Sequence, residues 1–399
     1  MTLGNMLLLG TALVLGVLLL NPKTMRNRAW RATVTPLASI IGSGFLVAGP
    51  ILSQVAGHWA FAAMMGLCAL GYFYGAAIRY NIRHVEPRIG KNAPPMMQRL
   101  EQASDLALSF AYFVSVAYYL NLFAAFALRG GGVIDAVWVK LLATAVIAAV
   151  GVLGALRGLG ALERVEAMAV GTKLALIGGL CTALLGLSLV AFSTGDLTWP
   201  TLDHDTGLNE VQVLLGLVIL VQGFETSRYL GAEYDADLRI ASMRWAQGLA
   251  TLIYLVFVLL ITRYFTNDLS LEGGETAIID MLAPVGTLVA PAIIILALAS
   301  QLSAAVADMN GAGGLISETS RKRLPVKLGY AVTAAAAILI TWLGNIYEII
   351  TYASKAFVLY YGLQSLQAAL AASGVKRWLF AFGVLLALVI IFFATPASV

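Results

Sequence analysis

The chain has 399 residues, 60% of them hydrophobic and 12% charged, with a net charge of +4. A soluble domain carries about 25% charged residues, so this composition excludes a free soluble domain and indicates a polytopic membrane protein. Its basic residues fall in loops rather than on one face, which removes nucleic acid as a partner.

The cysteines, Cys68 and Cys181, lie in separate apolar segments without metal spacing, and they read as buried small hydrophobes. His58, His84 and His204 are scattered. No metal and no cofactor is expected, and the absence of HExxH, GxSxG or a phosphate loop argues against an enzyme.

Apolar runs of about 18 or more residues mark membrane spans. In chain order they predict twelve, near 3–20, 34–54, 58–80, 104–128, 134–156, 165–193, 208–230, 242–265, 286–316, 326–344, 347–372 and 376–395. The first run has no preceding basic residue and no A-x-A site, so it reads as a retained helix rather than a signal peptide.

The loops alternate in charge. Lys23, Arg26, Arg28 and Arg31 follow the first span. Arg83, Arg88, Lys91 and Arg99 come next, then Arg157 with Arg164, Arg239 with Arg244, the Arg321–Lys327 cluster, and Lys376 with Arg377. The intervening loops are nearly free of Lys and Arg. By the positive-inside rule both termini lie outside, in a bilayer expected to be a bacterial inner membrane.

Two spans carry glycine where a helix is weakest. "IIGSGFLVAGP" holds Gly42 and Gly44, and "LVILVQGFETSRYLGAEY" holds Gly223 and Glu225. Gly223 lies 181 residues after Gly42, an interval that fits five spans and inverts the second repeat. Paired interrupted helices point to an inverted-repeat transporter with its site at mid-membrane. Residues 41–44 and 222–225 are therefore expected to be non-helical and close together. Packing is the competing reading of the glycines.

These same segments carry a resemblance. "IGSGFLVAGP" looks like the first core helix of the amino acid–polyamine–organocation (APC) superfamily. "QGFETSRYLGAEYDADLRIASMRWA" is similar to its sixth core helix and following loop. "LASQLSAAVADMNGAGGLISE" resembles the eighth core helix of sodium–solute symporters.

The resemblance implies an all-α LeuT-type fold of five plus five inverted helices with one extra helix at each end. The parts are an extra helix in 1–22, repeats over 30–195 and 205–373, and a last helix in 374–399. It also implies a permease for a small amino acid, amine or related organic solute, working by alternating access. A sodium-coupled symporter is the alternative, and a membrane sensor, transceptor or scaffold subunit is the alternative of another class.

Candidate substrate contacts are Ser39, Gly42, Ser43, Gly44, Tyr119, Gln222, Gly223, Glu225 and Thr226. A half-helix N-terminus near Gly42–Gly44 would suit a carboxylate, and Glu225 is a carboxyl in an apolar span, a functional position by default. A static pair with Arg228 competes with that role.

For ion coupling the candidates are Lys173, Ser303 and Asp308. Sodium-coupled relatives use two adjacent hydroxyls on core helix eight, where this chain has Ser303 and Ala304. The resemblance implies that the Lys173 ammonium takes the ion's place and that the coupling ion is the proton, with sodium the alternative. A static Lys173–Asp308 pair is the competing reading. Lys355 lies 182 residues after Lys173 and is its repeat counterpart. Tyr118, Asn121 and Asn310 are secondary candidates.

Overall fold

The computed structural model describes residues 2–89, 94–199, 207–265 and 271–397, with side chains described except at Ser43, 160–168 and 271–273. The Ser43 side chain, Lys91, the Arg164 side chain and His204 lie outside that description.

The described residues form helices and no strand: α1 Leu3–Leu19, α2 Arg28–Ala56, α3 Ala60–His84, α4 Pro95–Arg129, α5 Ala136–Arg157, α6 Gly160–Thr194, α7 Leu208–Leu215, α8 Ala236–Ile261, α9 Val289–Thr319, α10 Val326–Leu343, α11 Ile346–Ala371 and α12 Gly374–Phe393. Shorter turns join them.

By length and hydropathy, eight helical runs among the described residues can cross a membrane. One of these, Arg28–His84, holds two expected spans, joined at Gly57. The expected spans at 3–20, 208–230 and 347–372 are helical or partly so but fall short in length or apolarity. α1, for instance, has 17 residues, about 26 Å at 1.5 Å per residue.

Packing follows side-chain size. α1 lies against a glycine face of α6. A Cβ on Gly178 would meet Leu15, one on Gly186 would meet Leu7, and one on Gly179 would lie 2.5 Å from the Leu8 carbonyl oxygen. Without a hydrophobic force between helices in lipid, such close approach supplies the attraction. The buried Asn5 fastens the other end of α1. Its Nδ2 donates to Thr287 Oγ1 at 3.0 Å, and its Oδ1 accepts the Leu288 N–H at 3.1 Å.

The two glycine-bearing spans behave differently. α2 runs unbroken through Gly42, Ser43 and Gly44, which corrects the expectation of a non-helical stretch at 41–44. The physical reason is contact. An ideal Cβ on Gly44 would lie 2.8 Å from Leu220 Cα, and one on Gly42 would lie 3.3 Å from Ala304 Cβ. The glycines admit neighbouring elements while the helix runs on through them, and in lipid a freed backbone group costs several kcal/mol.

The second span is interrupted as expected. α7 stops at Leu215, and 3-10 turns cover Val218–Val221 and Phe224–Leu230. Between them Gln222 is extended and Gly223 has φ 115°, a left-handed value that glycine alone adopts without cost.

Candidate functional site

The interruption at Gln222–Gly223 presses directly on α2. A Cβ on Gly223 would lie 2.5 Å from Ser39 Oγ and 2.6 Å from the Ile40 nitrogen. The Tyr254 hydroxyl of α8 binds both partners, 2.6 Å from the Leu220 carbonyl oxygen and 3.1 Å from that of Ile40. The two glycine-bearing segments therefore meet, although only one is broken.

Around this crossing the candidate side chains gather. Gln222 Nε2 donates to the Tyr119 hydroxyl oxygen at 2.6 Å. Glu225 Oε2 accepts the Gly223 N–H and the Tyr361 hydroxyl, both at 2.9 Å. Thr226 donates to the Gly223 carbonyl at 2.8 Å. Glu225 and Gln222 are fully buried. Three buried oxygens here have no partner among the described residues: Ser39 Oγ, Gln222 Oε1 and Glu225 Oε1. Buried polar atoms are normally paired, and these three lie together at the crossing.

Gly42, Ser43 and Gly44 do not form a carboxylate cradle, because their N–H groups belong to a continuous helix. Glu225 is not paired with Arg228. Arg228 Nη2 reaches both oxygens of Glu101 on α4, at 2.7 and 2.8 Å, and Nη1 donates to Gln364 Oε1.

Lys173 is 1% exposed and is held from α6 into the space between α2 and α9. Its Nζ donates to the Ala38 carbonyl at 2.9 Å. A Cβ on Gly42 would lie 3.4 Å from that nitrogen, 3.3 Å from Ala304 Cβ and 3.7 Å from Ser300 Oγ. The hydroxyl grouped with the ammonium across Gly42 is therefore Ser300. Ser303 instead donates back along its own helix to the Ser300 carbonyl at 3.1 Å. Ser300 lies four residues before Ala304, on the same helical face, so helical spacing held a signal for it.

Asp308, also buried, accepts a hydrogen bond from Ser115 Oγ of α4. Lys355 is only part-buried and does not mirror the deep burial of Lys173. Asn121 Nδ2 binds Thr341 Oγ1 at 2.8 Å, and Tyr118 is fully buried against Tyr119. Ser115, Tyr254 and Tyr361 were not legible as site residues, because each acts through a partner on another helix.

A cavity of about 530 Å³ leads away from the crossing toward the basic loops. Thr226, Tyr112, Val170, Ala307, Asn310 and Arg31 are among its walls. Val170, three residues before Lys173, and Ala307, next to Asp308, are on its walls, while Lys173 and Asp308 themselves are not.

Comparison with known proteins agrees with this architecture. A family description of APC superfamily transporters matches residues 22–394. An uncharacterized protein of Aquifex aeolicus (strain VF5) is 40% identical over 351 residues, covering 87% of this chain and 85% of that relative. Among solved structures, the substrate-bound outward-open state of a Na+-coupled sialic acid symporter is similar with a TM-score of 0.52. That likeness covers 100% of this chain and 99% of the other at 14% identity, and it concerns the fold alone. A match that runs through nearly all of the helices described above places this integral membrane protein in the APC superfamily of transporters.

Proposed function

We propose that the chain is a proton-coupled secondary transporter of a small solute bearing an amine, an amino acid or a related organic molecule. The observation that carries the reading is the position of Lys173 Nζ, bonded to the Ala38 carbonyl and beside Gly42, Ala304 and Ser300. A buried ammonium there supplies the positive charge that an alkali cation would otherwise bring between α2 and α9. Lysine is suited to the role because desolvation lets it exchange a proton, whereas a guanidinium would hold its proton throughout.

The solute end of the reading rests on the crossing at Gly223. Ser39 Oγ, Gln222 Oε1 and Glu225 Oε1 form a set of oxygens that accept hydrogen bonds, which suits the N–H groups of an amine. The continuous α2 leaves no free N–H groups at Gly42–Gly44 for a carboxylate in this conformation. An amino acid would thus need α2 to unwind on binding, and an amine would not. The cavity at the basic-loop end supports alternating access, since it reaches Thr226, three residues from Gly223.

A LeuT-type arrangement with one extra helix at each end belongs to this reading, as does a cytoplasmic placement of the basic loops. Sodium symport is the second reading, favoured by the shared fold with a Na+-coupled symporter.

The deciding experiment is solute uptake into proteoliposomes, with the solute first found by thermal-shift screening of amines, amino acids and organic acids. Uptake is expected to follow an inward proton gradient and to ignore sodium. Lys173→Ala is expected to lose gradient-driven accumulation and to keep solute exchange. Strict sodium dependence of the wild type, or undiminished proton-driven accumulation in Lys173→Ala, overturns the coupling.

A further inference from the structure

Among the described residues three arginines are buried in the helix bundle, and they are not treated alike. Arg228 is held by Glu101, and Arg239 by both oxygens of Glu86 at 2.7 and 3.1 Å. Arg79 of α3 is 6% exposed and meets no carboxylate among the described residues. Its Nη1 donates to Gln247 Oε1 of α8, and its Nη2 to the Tyr72 carbonyl at 3.3 Å. Its guanidinium carbon stands 4.5 Å from the centre of the Tyr72 ring. Each partner is neutral, so a full positive charge stays uncompensated in a region of low dielectric, where charges are normally paired.

The position is built rather than incidental. A Cβ on Gly75 would lie 2.9 Å from Arg79 Nη1 and 2.5 Å from Gln247 Oε1, so glycine is what leaves room for the guanidinium and the amide. Gln247 is oriented by a second bond, its Nε2 donating to the Gly71 carbonyl at 2.8 Å. The amide oxygen is thereby aimed at Arg79.

A second cation is close enough to act on Arg79. Arg244, one turn before Gln247 on α8, is exposed, acts electrostatically on Arg79 and has no ion pair among the described residues. Arg83, four residues after Arg79 on α3, is paired with Asp237. Two like charges without an acid between them raise the energy of the pair unless an anion joins them.

The surroundings say which anion. Arg79 lies seven residues after Tyr72, so both sit on one stripe of α3, and Tyr72 is 46% exposed. Trp245, beside Arg244, is 73% exposed. Tyr72 itself stands at mid-helix, whereas an exposed Trp near the start of a membrane span is typical of the headgroup level. Arg79, Arg244 and Trp245 lie toward the end of the bundle that carries the basic loops, the face on which clefts between helices bind anionic headgroups.

We propose that the surface between α3 and α8 binds the phosphate of an anionic lipid, with Arg79 as its buried anchor, Arg244 as its exposed cation, and Trp245 as a flank at the membrane boundary. The lipid supplies the counter-charge that the chain omits here and provides at Arg228 and Arg239. Arg79 and Arg244 are not among the walls of the cavity that reaches Thr226, and the site depends on neither the solute nor the coupling ion.

The test is the thermal midpoint of the intact protein in nanodiscs of phosphatidylglycerol and of phosphatidylcholine with identical acyl chains, with inorganic phosphate added to the second as a separate arm. Phosphatidylglycerol is expected to raise the midpoint by at least about 3 °C, and phosphate to leave it unchanged. Arg244→Ala, a surface change that leaves the fold intact, is expected to abolish that increment, and Arg79→Gln to do the same where it folds. Native mass spectrometry is expected to find one phosphatidylglycerol retained on wild type and lost from Arg244→Ala. Equal midpoints in the two lipids, an undiminished increment in Arg244→Ala, or an equal shift from inorganic phosphate alone overturns the proposal.

Discussion

Arg228 and Glu101 form a buried two-pronged ion pair that closes the interrupted segment onto the start of α4. Nη2 reaches both carboxylate oxygens at 2.7 and 2.8 Å, and Gln367 Nε2 donates to the same carboxylate at 2.8 Å. The guanidinium side chain is 3% exposed and the carboxylate 19%. Removing one partner of such a pair strands the other charge. Glu101→Ala is expected to destabilise the protein by about 3 kcal/mol, within the range for broken buried pairs. The double variant Glu101→Leu with Arg228→Met is expected to recover most of that loss. Thermal midpoints in one detergent check both, and a Glu101→Ala variant as stable as wild type contradicts the assignment.

Gly44 is a packing position, and its variants report on the fold before they report on transport. A Cβ there would lie 2.3 Å from Leu220 Cδ2 and 2.8 Å from Leu220 Cα, and the second atom is backbone. Gly44→Ala is expected to cost about 1–3 kcal/mol, the usual range for overpacking, and Gly44→Leu to fail in assembly. Size-exclusion profiles and thermal midpoints measure this. A Gly44→Leu variant that folds normally and only loses uptake would restore the view of Gly44 as a solute contact.

Asp235 caps the N-terminus of α8, its Oδ1 accepting the Leu238 N–H at 2.9 Å. That hydrogen bond, with a smaller contribution from Arg28, holds its carboxyl below the ordinary carboxylate value. A lowered folded-state pKa gives stability that is present above the unfolded value and lost as pH falls through the folded one. Asp235→Ala is therefore expected to lower the midpoint at neutral pH and to match wild type in acid. Asp235→Asn, which keeps an accepting oxygen, is expected to keep the cap and flatten the pH dependence at this site. Midpoints between about pH 7 and pH 3, bracketing the ordinary carboxylate value, decide the matter.

The loop between α9 and α10 carries Arg321, Lys322, Arg323 and Lys327. Under the charge rule it faces the cytoplasm. Arg323→Cys, at an exposed position, is expected to resist an impermeant thiol reagent in intact cells and to react once the membrane is opened. Labelling of intact cells would reverse the orientation of the whole bundle.

The sequence by itself determined what depends on the solvent and on local backbone preference. Runs such as 376–395 must cross lipid because nothing else satisfies so many apolar residues, and α12 occupies Gly374–Phe393. The interruption at Gly223 was legible because a mid-span glycine beside a carboxyl and followed by Thr226 disfavours regular helix, and φ there is 115°.

What only the tertiary structure decided are questions about neighbours. "GSG" at 42–44 carries the same local weakness, yet α2 stays continuous because Leu220 and Ala304 occupy the space the glycines leave. Arg228 passes over Glu225, three residues before it in the chain, for Glu101, which lies 127 residues away. Arg79 receives no acid at all among the described residues, and its partners are instead Gln247 of α8 and the Tyr72 carbonyl. Local propensity sets what a segment prefers in isolation. The choice of partner for a buried glycine or a buried charge is made by whichever helix reaches it, and that is a property of the packed bundle.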